Sequence, residues 1–158
     1  METLARWLKS PLLALALRLY LGGLFIYASM YKINYAAEFA ATIASYQLVP
    51  FVLVNVTAVV VPWIELACGL MLVAGLRLRS ALTVVAGLLA VFTVAIVVNL
   101  VRGAPISCGC FHTVEDPISW WSVARDLSWL AMAGHVYLFD RYLHLDRMVL
   151  KPLKDIEA

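Results

Sequence analysis

Four apolar runs, at residues 12–31, 51–76, 81–101 and 117–139, occupy most of this 158-residue chain. About 20 consecutive apolar residues cross the ~30 Å hydrocarbon core of a bilayer, so runs of this length constrain the fold more than any other feature. Inside lipid every backbone N–H and C=O must be satisfied by the protein itself, which makes each run a helix. Hydrophobic residues form 64% of the chain and charged residues 14%, against roughly 45–50% and about 25% in soluble domains. The expected architecture is therefore an all-α, four-helix transmembrane bundle, a single domain over residues 1–158 with a tail at 140–158. The lipid bilayer is its first partner. A net charge of +2 spread over both ends offers no basic surface for nucleic acid.

Arg6 and Lys9 resemble the basic start of a secretory signal. The run that follows exceeds the usual ~7–15 residues and is interrupted by Arg18, so a retained anchor is expected. Basic residues favour cytoplasmic ends. Arg6 and Lys9 precede the first span, Arg77 and Arg79 join the second to the third, and Arg141, Arg147, Lys151 and Lys154 follow the fourth. The other two connections hold only Lys32 and Arg102, beside Glu38, Glu115 and Asp116. Both termini are expected in the cytoplasm, in a multi-pass protein of a bacterial inner membrane. Residues 36–47 place Phe39, Ile43 and Tyr46 at helical spacing, as a short amphipathic helix at the outer interface does. Asp116-Pro117 reads as a helix start, and Trp120 and Trp121 as an interfacial aromatic belt.

The outward connection between the last two spans carries Cys108-Gly109-Cys110-Phe111-His112. The extracytoplasmic side permits disulfides to form and persist. A disulfide across one residue closes a small bent ring, which Gly109 can accommodate. It removes almost no chain entropy, so it is a poor staple, whereas strained, exposed disulfides are the labile and oxidising ones. A redox pair is the favoured reading. A metal site using Cys108, Cys110 and His112 lacks the fourth ligand that structural zinc wants, and a structural pair is the third alternative. Cys68 lies inside the second span, where a free cysteine acts as a small hydrophobe.

Ionisable groups inside a membrane pair with one another or line a cavity. At about 1.5 Å per residue, Arg18 lies roughly 9 Å and Glu65 roughly 16 Å from the inner ends of their spans. The two are expected to form one buried ion pair that fixes helix packing, or else to serve a quinone head group or a proton. Asn99, Arg125 and Asp126, with Lys32 nearby, form a second polar layer close to the cysteine loop and His112. That layer is the better candidate pocket. Trp121, Arg125 and Trp129 share one helical face, which allows an arginine–indole stack. His135 is read as interfacial.

Three stretches resemble the methylamine-utilisation MauE family, within the wider DoxX-like group of four-helix bacterial membrane proteins. They are Arg18-Leu-Tyr-Leu-Gly22-Gly-Leu-Phe25 running to Lys32; Pro62-Trp-Ile-Glu65-Leu-Ala-Cys-Gly69 with Leu72 and Gly75; and Ser107-Cys108-Gly-Cys110-Phe111 followed by Ile118-Ser-Trp120-Trp121 and Arg125-Asp126. His112 stands where the family's usual glycine follows phenylalanine. The resemblance implies a role in maturing the disulfide-rich small subunit of periplasmic methylamine dehydrogenase, with a thioredoxin-like periplasmic partner and redox traffic through Cys108 and Cys110. A thiol–disulfide oxidoreductase is the activity it implies, and a quinone the candidate cofactor. A non-enzymatic membrane scaffold and a quinone-linked oxidoreductase subunit are the competing classes.

Overall fold

A computed structural model of the chain describes residues 10–104, 106 and 117–140, and within them the fold is all-helical. Five helices follow in order: α1 (Pro11–Asn34), α2 (Ala36–Ser45), α3 (Phe51–Ala74), α4 (Leu78–Val101) and α5 (Trp120–Phe139). Three of them, α1, α3 and α4, are long and apolar enough to cross a membrane, which makes this a multi-pass membrane protein. Their outward side chains agree, with Phe51, Val52 and Val101 more than three-quarters exposed, as a lipid-facing surface tolerates. The fourth expected span is a 20-residue helix that carries Arg125 and Asp126 and falls short of the same standard.

Local chemistry sets the boundaries. Ser10 caps α1 by accepting from the Leu13 N–H at 3.3 Å, and Pro11 opens its first turn, where a missing N–H costs nothing. The helix runs on to Asn34, three residues past the expected end at 31, which brings Lys32 inside it. Gly75, at φ 70°, ends α3. Its N–H donates to the Leu72 carbonyl at 3.3 Å and the Leu76 N–H to that of Met71 at 3.0 Å, the double closure that a left-handed glycine permits. The next helix then starts at Leu78, ahead of the expected 81. The last helix starts at Trp120, three residues past the expected start at Pro117; Asp116, the expected cap, lies outside the described residues. The Ile118 N–H donates to the Ile106 carbonyl at 2.9 Å, which holds this stretch extended, and Ser119 is the residue before the first turn.

The core runs along α1, α3, α4 and α5 through Leu21, Leu72, Leu82, Val85, Ala133 and Val136. A second cluster packs Phe39 and Ile43 of α2 on Val54 and Ala58 of α3. A third joins Tyr46, Ile96, Ile118 and Val123. Helices α1 and α3 cross in backbone contact. A Cβ built on Gly69 would stand 2.9 Å from Ile26 Cγ1, 3.0 Å from the Gly22 oxygen and 3.1 Å from the Ile26 nitrogen. Two of those three neighbours are main chain and cannot turn aside. Gly69→Ala therefore forces the helices apart and costs about 1–3 kcal/mol in reversible unfolding from mixed micelles. Gly87→Ala, which meets nothing within 4 Å, is the matched control and loses no stability.

Candidate functional site

Lys32 and Glu65 meet in the interior, between α1 and α3. The ammonium lies 2.7 Å and 2.8 Å from the two carboxylate oxygens, and both side chains are more than nine-tenths buried. The Lys32 ammonium also stands 5.1 Å from the centroid of the Phe39 ring and 5.7 Å from that of Phe92. Two ring faces and one carboxylate thus replace the water that a buried cation has lost.

Asp126 of α5 belongs to the same end of the bundle. Its carboxylate is buried, 3.5 Å from Nε of the more exposed Arg125. The Arg125 guanidinium lies 4.9 Å over Trp129, so the expected arginine–indole stack forms; Trp121 stays exposed. Asn99 donates to the carbonyls of Ala95 at 3.0 Å and Tyr46 at 3.3 Å, tying α4 to the residue that follows α2. Burial pushes the Tyr46 phenol up to about 12, the Asp126 charge acts in the same direction, and Arg125 opposes it. Tyr46 is therefore a neutral hydroxyl throughout the physiological range.

These groups edge a cavity of about 580 Å³ that all five helices line. Lys32, Glu65, Asp126, Tyr46, Phe92 and Trp129 all line it, and apart from Thr42 and Thr57 the rest of its wall is apolar, Phe25 and Phe39 included. The expected polar layer is thus present in part. Asp126 and Lys32 reach the cavity, whereas Asn99 braces the helices behind it and Arg125 packs on Trp129.

The expected Arg18–Glu65 pair is replaced by two separate pairs. Arg18 binds Asp140 at 2.9 Å, with both side chains at 2% exposure or less, and Glu65 takes Lys32. Side-chain direction explains the exchange. Helical side chains lean towards their own N-terminus, and α1 and α3 run antiparallel through the Gly22–Gly69 contact. Glu65 and Lys32 lean towards each other. Arg18 leans the opposite way, towards the end of α5 where Asp140 stands. Depth counted from the helix ends carries no such directional information.

Cys108, Cys110 and His112 lie outside the described residues. Ile106 and Ile118, which flank their connection, are joined by the hydrogen bond described above, beside the Tyr46–Val123 cluster. Cys68 is buried in the core, as a small apolar side chain is. His135 is half-buried and packs on Phe139 with ring centroids 4.9 Å apart. Lys32 is expected near the polar layer, but not as the partner of Glu65. Asp140 stands in the sequence at the head of a polar tail, and the Phe39–Phe92 cradle has only the helical spacing of Phe39 to announce it.

Residues 10–139 match the family model described as methylamine utilisation protein MauE. The chain is 44% identical over 128 residues to methylamine utilization protein MauE of Paracoccus versutus, covering 80% of this chain and 69% of that one. It is 34% identical over 132 residues to the Paracoccus denitrificans protein of the same name, covering 82% and 71%. For the Methylorubrum extorquens protein the identity is 35% over 129 residues, covering 80% and 69%. No solved structure matches the chain.

Proposed function

Since this chain belongs to the MauE family of methylamine-utilisation proteins, we propose that it is the membrane component of a thiol–disulfide system that matures extracytoplasmic proteins for that pathway. In this reading α5 is a fourth span, since 20 residues of helix cover about 30 Å. Both termini lie in the cytoplasm of a bacterium, α2 rests at the outer surface of the inner membrane, and the connection bearing Cys108 and Cys110 faces outward. The observation that carries the proposal is the placing of that connection's ends. Cys108 and Cys110 follow Ile106 by two and four residues, and the Ile106–Ile118 hydrogen bond fixes this stem on the α2 side of the bundle, where Asn99, Tyr46 and Asp126 gather.

One thiolate of the pair exchanges with a thioredoxin-like partner through a mixed disulfide, which the second cysteine resolves. Arg125 and Asp126 secure the start of α5 beneath the loop. The client is a disulfide-rich subunit of the methylamine dehydrogenase type.

Single Cys108→Ser and Cys110→Ser variants test this in cells quenched with acid and run without reductant. One of the two is expected to accumulate a covalent adduct with an extracytoplasmic protein, and both to lose growth on methylamine. If neither variant traps a partner and both support normal growth, the exchange reading is wrong and a scaffold role takes its place.

A further inference from the structure

We infer that the cavity lined by the five helices binds a neutral, lipid-soluble carbonyl compound of the quinone class, with Lys32 of α1 donating a hydrogen bond to its carbonyl oxygen. The cavity's own chemistry narrows the choice. Val91 and Val94, which line it, are 70% and 61% exposed on α4, a helix apolar enough to lie in lipid. A ligand therefore enters from the bilayer, and its body is apolar like the wall.

Each charge at the wall already has its counterion, Lys32 with Glu65 and Asp126 with Arg125, so a charged head group finds none to spare. A cation, protonated methylamine included, would meet the Lys32 ammonium, which already occupies the space between Phe39 and Phe92. An anion would meet the carboxylates of Glu65 and Asp126. What remains is an uncharged acceptor. An ammonium has three N–H donors; two of Lys32's are spent on Glu65, and the third has no acceptor among the described residues. The rings of Phe39, Tyr46, Phe92 and Trp129 along the wall suit a planar partner. A volume of about 580 Å³ fits within the few hundred to about 1,000 Å³ of small-molecule sites.

Binding stands on the cavity alone, while its use as an electron acceptor rests on the thiol–disulfide reading above. In that use Cys108 and Cys110 lose two protons and two electrons as their S–S bond forms. The quinone takes up both protons and both electrons to become the quinol, and the balance needs no other reactant.

The test uses the full chain in phosphatidylcholine nanodiscs, titrated with a short-chain ubiquinone analogue while tryptophan fluorescence is followed. Trp129 lines the cavity and is 8% exposed, so a bound quinone quenches it saturably. Thr57→Phe, which fills the cavity without touching a charge, abolishes the saturable phase. A paired Lys32→Gln and Glu65→Gln variant weakens binding about tenfold, the loss of one charge-assisted hydrogen bond. A paired Cys108→Ala and Cys110→Ala variant binds as the natural chain does. Quenching that stays linear, or that Thr57→Phe leaves intact, overturns the inference. So does displacement of the analogue by a fatty alcohol of equal chain length, which would identify a site for any acyl chain. Lost quinone binding with intact partner trapping removes the cavity's ligand alone; intact binding with failed trapping removes the exchange role alone.

Discussion

Glu65→Ala is expected to destabilise the bundle by about 3–5 kcal/mol, the usual consequence of removing one partner from a buried ion pair. Lys32, only 4% exposed as a residue, then keeps its charge inside the bundle with no carboxylate at ion-pair distance among the described residues. Phe39 and Phe92 lie over it, so its four-carbon stem has no short path to water. A paired Glu65→Leu and Lys32→Met variant, by contrast, removes both charges together and recovers most of the loss, because desolvating an ion pair costs about as much as the pair returns. Reversible unfolding in mixed micelles measures both. A loss under about 1 kcal/mol for the single variant, far below the range for a buried charge, would show that the ammonium swings past α2 to the surface and that the pair does not anchor α1 to α3.

Arg18→Leu should cost a similar amount at the opposite end of the bundle. Asp140 has a side chain with 0% exposure, and the variant takes from it the guanidinium that stands 2.9 Å away. A paired Arg18→Leu and Asp140→Leu variant is expected to come within about 1–2 kcal/mol of the natural chain, and the double-mutant cycle to give a coupling of about 2–3 kcal/mol. Fourteen positions of helix separate Arg18 from Lys32, about 21 Å, so damage to the two pairs should sum. Non-additivity beyond about 0.5 kcal/mol would mean that the two ends of the bundle respond as one unit.

The apolar runs made α1, α3 and α4 legible because lipid leaves a long hydrophobic segment one regular conformation. Phe39, Ile43 and Tyr46 announced α2 through their spacing, and Arg125 four residues before Trp129 announced their stack. Charge partnership was not legible. Each lone ionisable residue declared that it needed a counterion, but the choice depends on helix direction and on the slant of each side chain. Lys32 and Glu65 incline together, while Arg18 inclines away. Asp140 looked like the first residue of a polar tail because nothing in its neighbourhood signals that Arg18 will cover it. The helix start expected at Pro117 gave way to a hydrogen bond between Ile106 and Ile118 that no local spacing encodes. The exchange proposed for Cys108 and Cys110 rests on their sequence and on the placing of that stem.

The bare-backbone crossing at Gly22 and Gly69 also decides how the molecule can breathe. With no side chain interposed there, and with Lys32 clasping Glu65 further along the same seam, α1 and α3 behave as one stiff plate. Any give in the chamber beside them then falls to the walls that α2 and α4 supply.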